Sequence, residues 1–246
     1  MIRFREEGGN RTALEAFRAL QRGEERFGCL EYARLYVAAA REVGLTAFEV
    51  DVERDVKGNN VSHACAAVLC GDRIFLVDLS YRWFGVPHKD FKLLDDKQAI
   101  ACYYFEPWQS MKWLSDCRLA EKLYPECRSG RLFTSLALMA SGDGDGARGA
   151  FEAAAKLGPE HWDVLFARAA FAFHDGNEID GAEYLRRSLE GNPRYAPTHL
   201  MMAQLFRKQG RVSEAVAEYR AALRCGVPRV VAAETRRAIV EILAEK

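Results

Sequence analysis

The stretch Leu200–Arg224 reads LMMAQLFRKQGRVSEAVAEYRAALR. It holds two amphipathic, helix-length segments, Leu200–Lys208 and Ser213–Arg224, around the turn Gln209-Gly210-Arg211. Small residues at Ala203 and Ala215 let the paired helices approach closely, and Gly210 lets the first helix end in a left-handed conformation. Outward from this stretch, Gly142, Gly176 and Gly210 are spaced by 34 residues, as are Phe151, Leu185 and Tyr219, then Ala154, Ser188 and Ala222. Pro125, Pro159 and Pro193 follow the same interval. A fixed period of this length predicts an all-α solenoid of helical hairpins over residues 94–246. Its units are expected at about 94–127, 128–161, 162–195 and 196–229, with Val230–Glu245 as a polar-faced capping helix.

The small, aromatic and proline positions of these units resemble the tetratricopeptide repeat. The likeness weakens locally where Val227 replaces the proline and Gly181 the alanine. The Asp-Gly-rich stretch Gly142–Gly146 lacks the later acidic ligands of a calcium loop and falls in register as an inter-helix turn. The resemblance implies a concave face, built from the first helix of each unit, that binds a protein or peptide. Phe166, Phe173, Arg207 and Lys208 are the residues expected there, giving a groove apolar at one end and basic at the other. The two phenylalanines fit packing between neighbouring helices equally well.

Residues 1–93 follow a different pattern, with helices first and strands after them. Thr12–Leu20 and Cys29–Val43 read as helices, and Ala47–Glu53, Val61–Leu69 and Ile74–Tyr81 as strands. Cys29 opens its helix directly after Gly28, where unpaired backbone N–H groups and the helix dipole favour a thiolate. The loop Cys70-Gly71-Asp72-Arg73 is an even-numbered hairpin connection that sets Cys70 opposite Arg73 and Cys65 opposite Asp78. His63 then shares a face with Cys65 and lies diagonal to Asp78, close enough for the aspartate to hold the imidazole.

A helix-start cysteine, then a strand histidine, then an aspartate on the next strand resembles the transglutaminase-like superfamily, over roughly residues 27–84. The likeness rests on Gly28-Cys29, Tyr32-Ala33, Arg41–Ala47, His63-Ala64 and Leu76-Val77-Asp78. It implies an α+β, papain-like fold, with Cys29 as nucleophile, His63 as general base and acid, and Asp78 orienting the histidine. Cys65 stands where the family often has tryptophan, and Thr46 and Phe48 where it commonly has proline and arginine, which leaves substrate preference open.

The 246 residues carry 35 Lys plus Arg against 35 Asp plus Glu, a balance that offers no basic footprint for nucleic acid or an anionic membrane. Met1–Glu7 has no apolar core of signal-peptide length, and seven cysteines without framework spacing read as reduced thiols, so a cytoplasmic protein is expected. Zinc-type ligand pairs are missing around His63, Cys65 and Cys70, and no phosphate-binding glycine loop precedes a helix, so no metal or cofactor is expected. The expected function is a cysteine-dependent amide-bond enzyme, a peptidase or amidase or else a transglutaminase, joined to a partner-binding repeat module. The alternative is a catalytically silent adaptor.

Overall fold

The computed structural model describes residues 11–23, 27–104, 113–227 and 229–244. Met1–Glu7, read above for targeting, lies outside them. The chain divides into two compact units, Met1–Tyr103 and Tyr104–Lys246.

In the first unit, α1 (Ala13–Gln21) and α2 (Cys29–Glu42) precede an antiparallel sheet. Its strands are β1 (Ala47–Arg54), β2 (Asn60–Cys70), β3 (Arg73–Asp78), β4 (Trp83–Phe84) and β5 (Asp90–Leu94), in the order β4-β3-β2-β1-β5. Helix α2 packs on β1 and β2, and α1 on α2. The pleat of the strands explains the two cores. Ala47, Ala66, Val68 and Val77 join Val37 and Ala40 of α2, whereas Val50, Val52, Cys65, Ala67 and Leu76 point the other way and meet Val86. The expected strands are all present within a few residues, and β4 and β5 are additional.

Helix α3 (Asp96–Tyr104) follows β5 after a single residue, and Arg41 of α2 reaches its first carboxylate, Asp96, at 2.9 Å. The division between the two units falls at Tyr103/Tyr104, at the end of α3, against a sequence-based expectation of 93/94.

Among the described residues the first helix lying wholly in the second unit is α4 (Trp113–Leu123), followed by the pairs α5 (Arg128–Ala140) and α6 (Gly144–Ala155), α7 (Trp162–His174) and α8 (Glu178–Gly191), and α9 (Ala196–Lys208) and α10 (Val212–Cys225). Helix α11 (Arg229–Ala244) closes the series and packs on α10. Gly142, Gly176 and Gly210 end the first helix of each pair with φ of 84°, 80° and 71°, a conformation that costs other residues about 1 kcal/mol or more. The Asp-Gly-rich stretch is such a turn: Asp143 caps α6 by accepting the Gly146 N–H at 2.9 Å. Ala154, Ser188 and Ala222, at the periodic small positions, are all fully buried. No helix of the described residues is long and apolar enough to cross a membrane.

Candidate functional site

Cys29 is the first residue of α2, and the chain ahead of it is fixed by burial and by a charge. Phe27 is buried and Gly28 caps the helix. The Gly28 N–H donates to Glu31 Oε2 at 2.8 Å, and the fully buried Glu31 is paired in turn with Arg11 at 3.1 Å. The half-buried Cys29 therefore sits at a capped helix N-terminus.

The hairpin delivers the other two residues. Cys70 pairs with Arg73 and Ala66 with Val77, and the same register continued puts Cys65 opposite Asp78 and His63 diagonal to it. His63 Nε2 lies 2.6 Å from Asp78 Oδ2. Asp78 Oδ1 accepts the backbone N–H groups of Ser80 at 2.9 Å and Tyr81 at 3.1 Å. A fourth donor comes from His88, whose Nε2 is 3.0 Å from Oδ2. Burial opposes charge on Asp78, but the hydrogen bond and charge of His63, with the His88 and Tyr81 bonds, hold its carboxyl below the usual range. An ionised carboxylate only accepts, so both histidines present an N–H at Nε2. That leaves Nδ1 of His63 free of the carboxylate, and Cys29 acts on the imidazole from close by. Burial works against the imidazolium, yet hydrogen bonds to Asp78 and Cys29, and their charges, raise His63 to about 10. His63 and Asp78 thus form a hydrogen-bonded pair, with Cys29 close enough to raise the imidazole. Cys65, close by, differs: burial pushes its thiol up, as befits a core residue.

His63, Asp78 and His88 also offer a metal-type donor set, with ligand atoms within 4.8 Å of one another. Bonds of 2.0–2.2 Å around a tetrahedral ion would set neighbouring ligand atoms roughly 3.3 Å apart. The 2.6 Å and 3.0 Å separations are those of hydrogen bonds.

In the second unit the expected partner-binding residues separate into two kinds. Phe166 is buried among Leu185, Tyr195 and Met201, so it packs between helices and has little surface left to offer a groove. Phe173 joins the same cluster, and a Cβ added at Gly181 would meet its ring at 2.6 Å. One unit earlier and one unit later the corresponding pairs are Met139 with Ala147 and Arg207 with Ala215. The missing methyl at Gly181 is therefore what admits the larger ring. Arg207 and Lys208 do line a cavity of about 600 Å³, together with Leu200 and Gln204 of α9 and residues of α11. Each is already paired with a carboxylate, Arg207 with Glu241 at 3.7 Å and Lys208 with Glu178.

Residues 134–197 and 200–245 match the family model of the tetratricopeptide repeat. The second unit carries tetratricopeptide repeats. Such repeats as a class bind proteins. No curated protein matches the chain. Among solved structures, a human IFIT1 dimer with m7Gppp-AAAA is similar at 16% identity and a TM-score of 0.46, over 59% of this chain and 37% of that one. TTC0263, a thermophilic repeat protein of Thermus thermophilus, is similar at 18% identity and a TM-score of 0.45, over 60% of this chain and 80% of that one. The chain thus spans well under half the length of the IFIT1 structures.

The sequence reading missed His88. It lies outside every predicted strand, in the link between β4 and β5. The available signal was Pro87-His88 beside short aromatic strands, which does not by itself point to Asp78.

Proposed function

We propose that the first unit is a cysteine-dependent acyl-transfer enzyme of transglutaminase-like type and papain-like fold, and that the repeats supply its protein partner or substrate. The observation that supports this is the His63 imidazole held at 2.6 Å by a four-bonded Asp78, with the helix-start Cys29 raising it further. With His63 raised to about 10, its imidazolium already holds the proton given up by Cys29, and the thiolate adds to an amide carbonyl. The protonated imidazole then gives its proton to the leaving amine, leaving a thioester on Cys29. Water or a lysine amine resolves the thioester, and water is the acceptor we favour because an amine needs a binding site of its own.

The test is an activated acyl ester offered to the full chain and followed by intact mass. A single adduct on Cys29, lost in Cys29→Ser and resolved by water or by added amine, is expected. Absence of any adduct on Cys29 would sink the enzyme reading. A second reading, an adaptor that only binds partners, draws on the family match falling wholly within the repeats, and the same experiment decides between the two.

A further inference from the structure

We infer that His88 is a positioning residue of this site, fixing Asp78 as the acceptor of His63; the inference rests on the cysteine-enzyme reading above. Its side chain is fully buried, and Nε2 reaches, at 3.0 Å, the same Asp78 oxygen that His63 holds at 2.6 Å. The two imidazole rings stand edge to face with centroids 5.9 Å apart, and the Tyr81 ring lies 5.5 Å from His63 and 5.9 Å from His88.

The other ring nitrogen decides the matter. His88 Nδ1 is buried with no hydrogen-bond partner among the described residues. A proton there would have no acceptor, so the ring's proton is at Nε2, aimed at Asp78. A residue that merely filled this space would be apolar and leave no polar atom unsatisfied. Here an unsatisfied nitrogen is tolerated for one directed N–H.

The consequence is geometric. Two backbone N–H groups fill Oδ1 and two imidazoles fill Oδ2, so all four acceptor directions of the carboxylate are taken. As the imidazolium proton passes from His63 to the leaving amine, His63 keeps its Nε2 proton directed at Asp78. His88 therefore acts only through direction, by denying the carboxylate a rotation that would release His63.

The experiment compares His88→Phe, which keeps the ring but not the donor, with His88→Gln, which keeps a donor. Two readouts apply to the full chain: the rate of Cys29 alkylation by iodoacetamide from pH 5 to 9, and the low-field NMR resonance of the His63 Nε2 proton, recorded also in Cys29→Ser. The phenylalanine variant should lose roughly tenfold in alkylation rate at pH 7 and shift or broaden that resonance, and the glutamine variant should recover most of both. If His88→Phe does not fold, His88→Met takes its place. A folded donor-less variant with wild-type alkylation and an unmoved His63 resonance overturns the inference, as does a folded glutamine variant as impaired as the apolar one. Slow alkylation of the wild type, with a His63 resonance that still responds to His88, would instead sink the enzyme reading and leave the positioning of His63 standing.

Discussion

Replacing Asp78 by asparagine keeps the shape of a side chain that is only 1% exposed and removes its charge. Asparagine offers one acceptor oxygen where the carboxylate offers two, so either the Ser80 and Tyr81 N–H groups or the two imidazoles face an NH2 group. Breaking a buried charge-assisted pair in this way costs about 3–5 kcal/mol. Raising His63 from 6.5 to about 10 corresponds to about 5 kcal/mol of preference for the imidazolium, shared between Asp78 and Cys29. Because the folded value is raised, that stabilisation is complete below pH 6.5 and is lost as pH climbs through about 10. Asp78 acts with the opposite sign: its folded value is depressed, so its contribution is present above the ordinary 3.8 and lost as pH falls below it. The stability difference between wild type and Asp78→Asn should therefore be greatest between about pH 4 and 6.5 and shrink toward pH 10. Urea titrations followed on the methyl signals of Ala66 and Ala67 in β2 read this locally. A difference that stays constant from pH 5 to 10 would refute the coupling of Asp78 to a charged His63.

Cys29 should be alkylated by iodoacetamide at pH 6 roughly tenfold faster than an exposed model thiol, and His63→Ala should abolish the advantage; equal rates before and after the mutation would contradict it. Gly181→Ala should destabilise the second unit by about 1–3 kcal/mol in urea unfolding, and adding Phe173→Met, which recreates the Met139–Ala147 pairing, should return most of it. Additive losses in the double variant would show that the ring is not the obstacle. Charge reversal of Arg207 and Lys208 together should weaken capture of an acidic partner on the repeats and leave Cys29 alkylation unchanged, measured by pull-down with a defined acidic peptide that binds the wild type. Undiminished capture would place binding elsewhere on the repeats.

What could be read from the sequence was local or periodic. The 34-residue spacing carried the helix pairs and their left-handed glycine turns, and the even hairpin loop carried the register that joins His63 to Asp78. What escaped was set by contacts distant in sequence. β5 pairs with β1 across some forty residues, with Glu49 opposite Leu94, and its first three residues are exposed, so no alternation announced it. His88 was lost with it, because the link between β4 and β5 has no meaning until both flanking strands are placed. Gly181 read as a weakened repeat position because its compensation lies eight residues earlier in Phe173, a pairwise effect that position-by-position matching does not reveal.

The Arg11–Glu31 pair has a further consequence for how this cysteine could be disarmed. Glu31 is two residues beyond Cys29, fully buried, and holds the Gly28 N–H that starts the helix. Arg11 pairs with it at 3.1 Å from ahead of α1. A cut between Arg11 and Thr12 would take the Arg11 cation away from a buried carboxylate beneath the nucleophile, and removing one partner of a buried ion pair costs about 3–5 kcal/mol. The thiol would be chemically untouched and its framework lost, so a cut well ahead of the cysteine is equivalent here to damaging the centre.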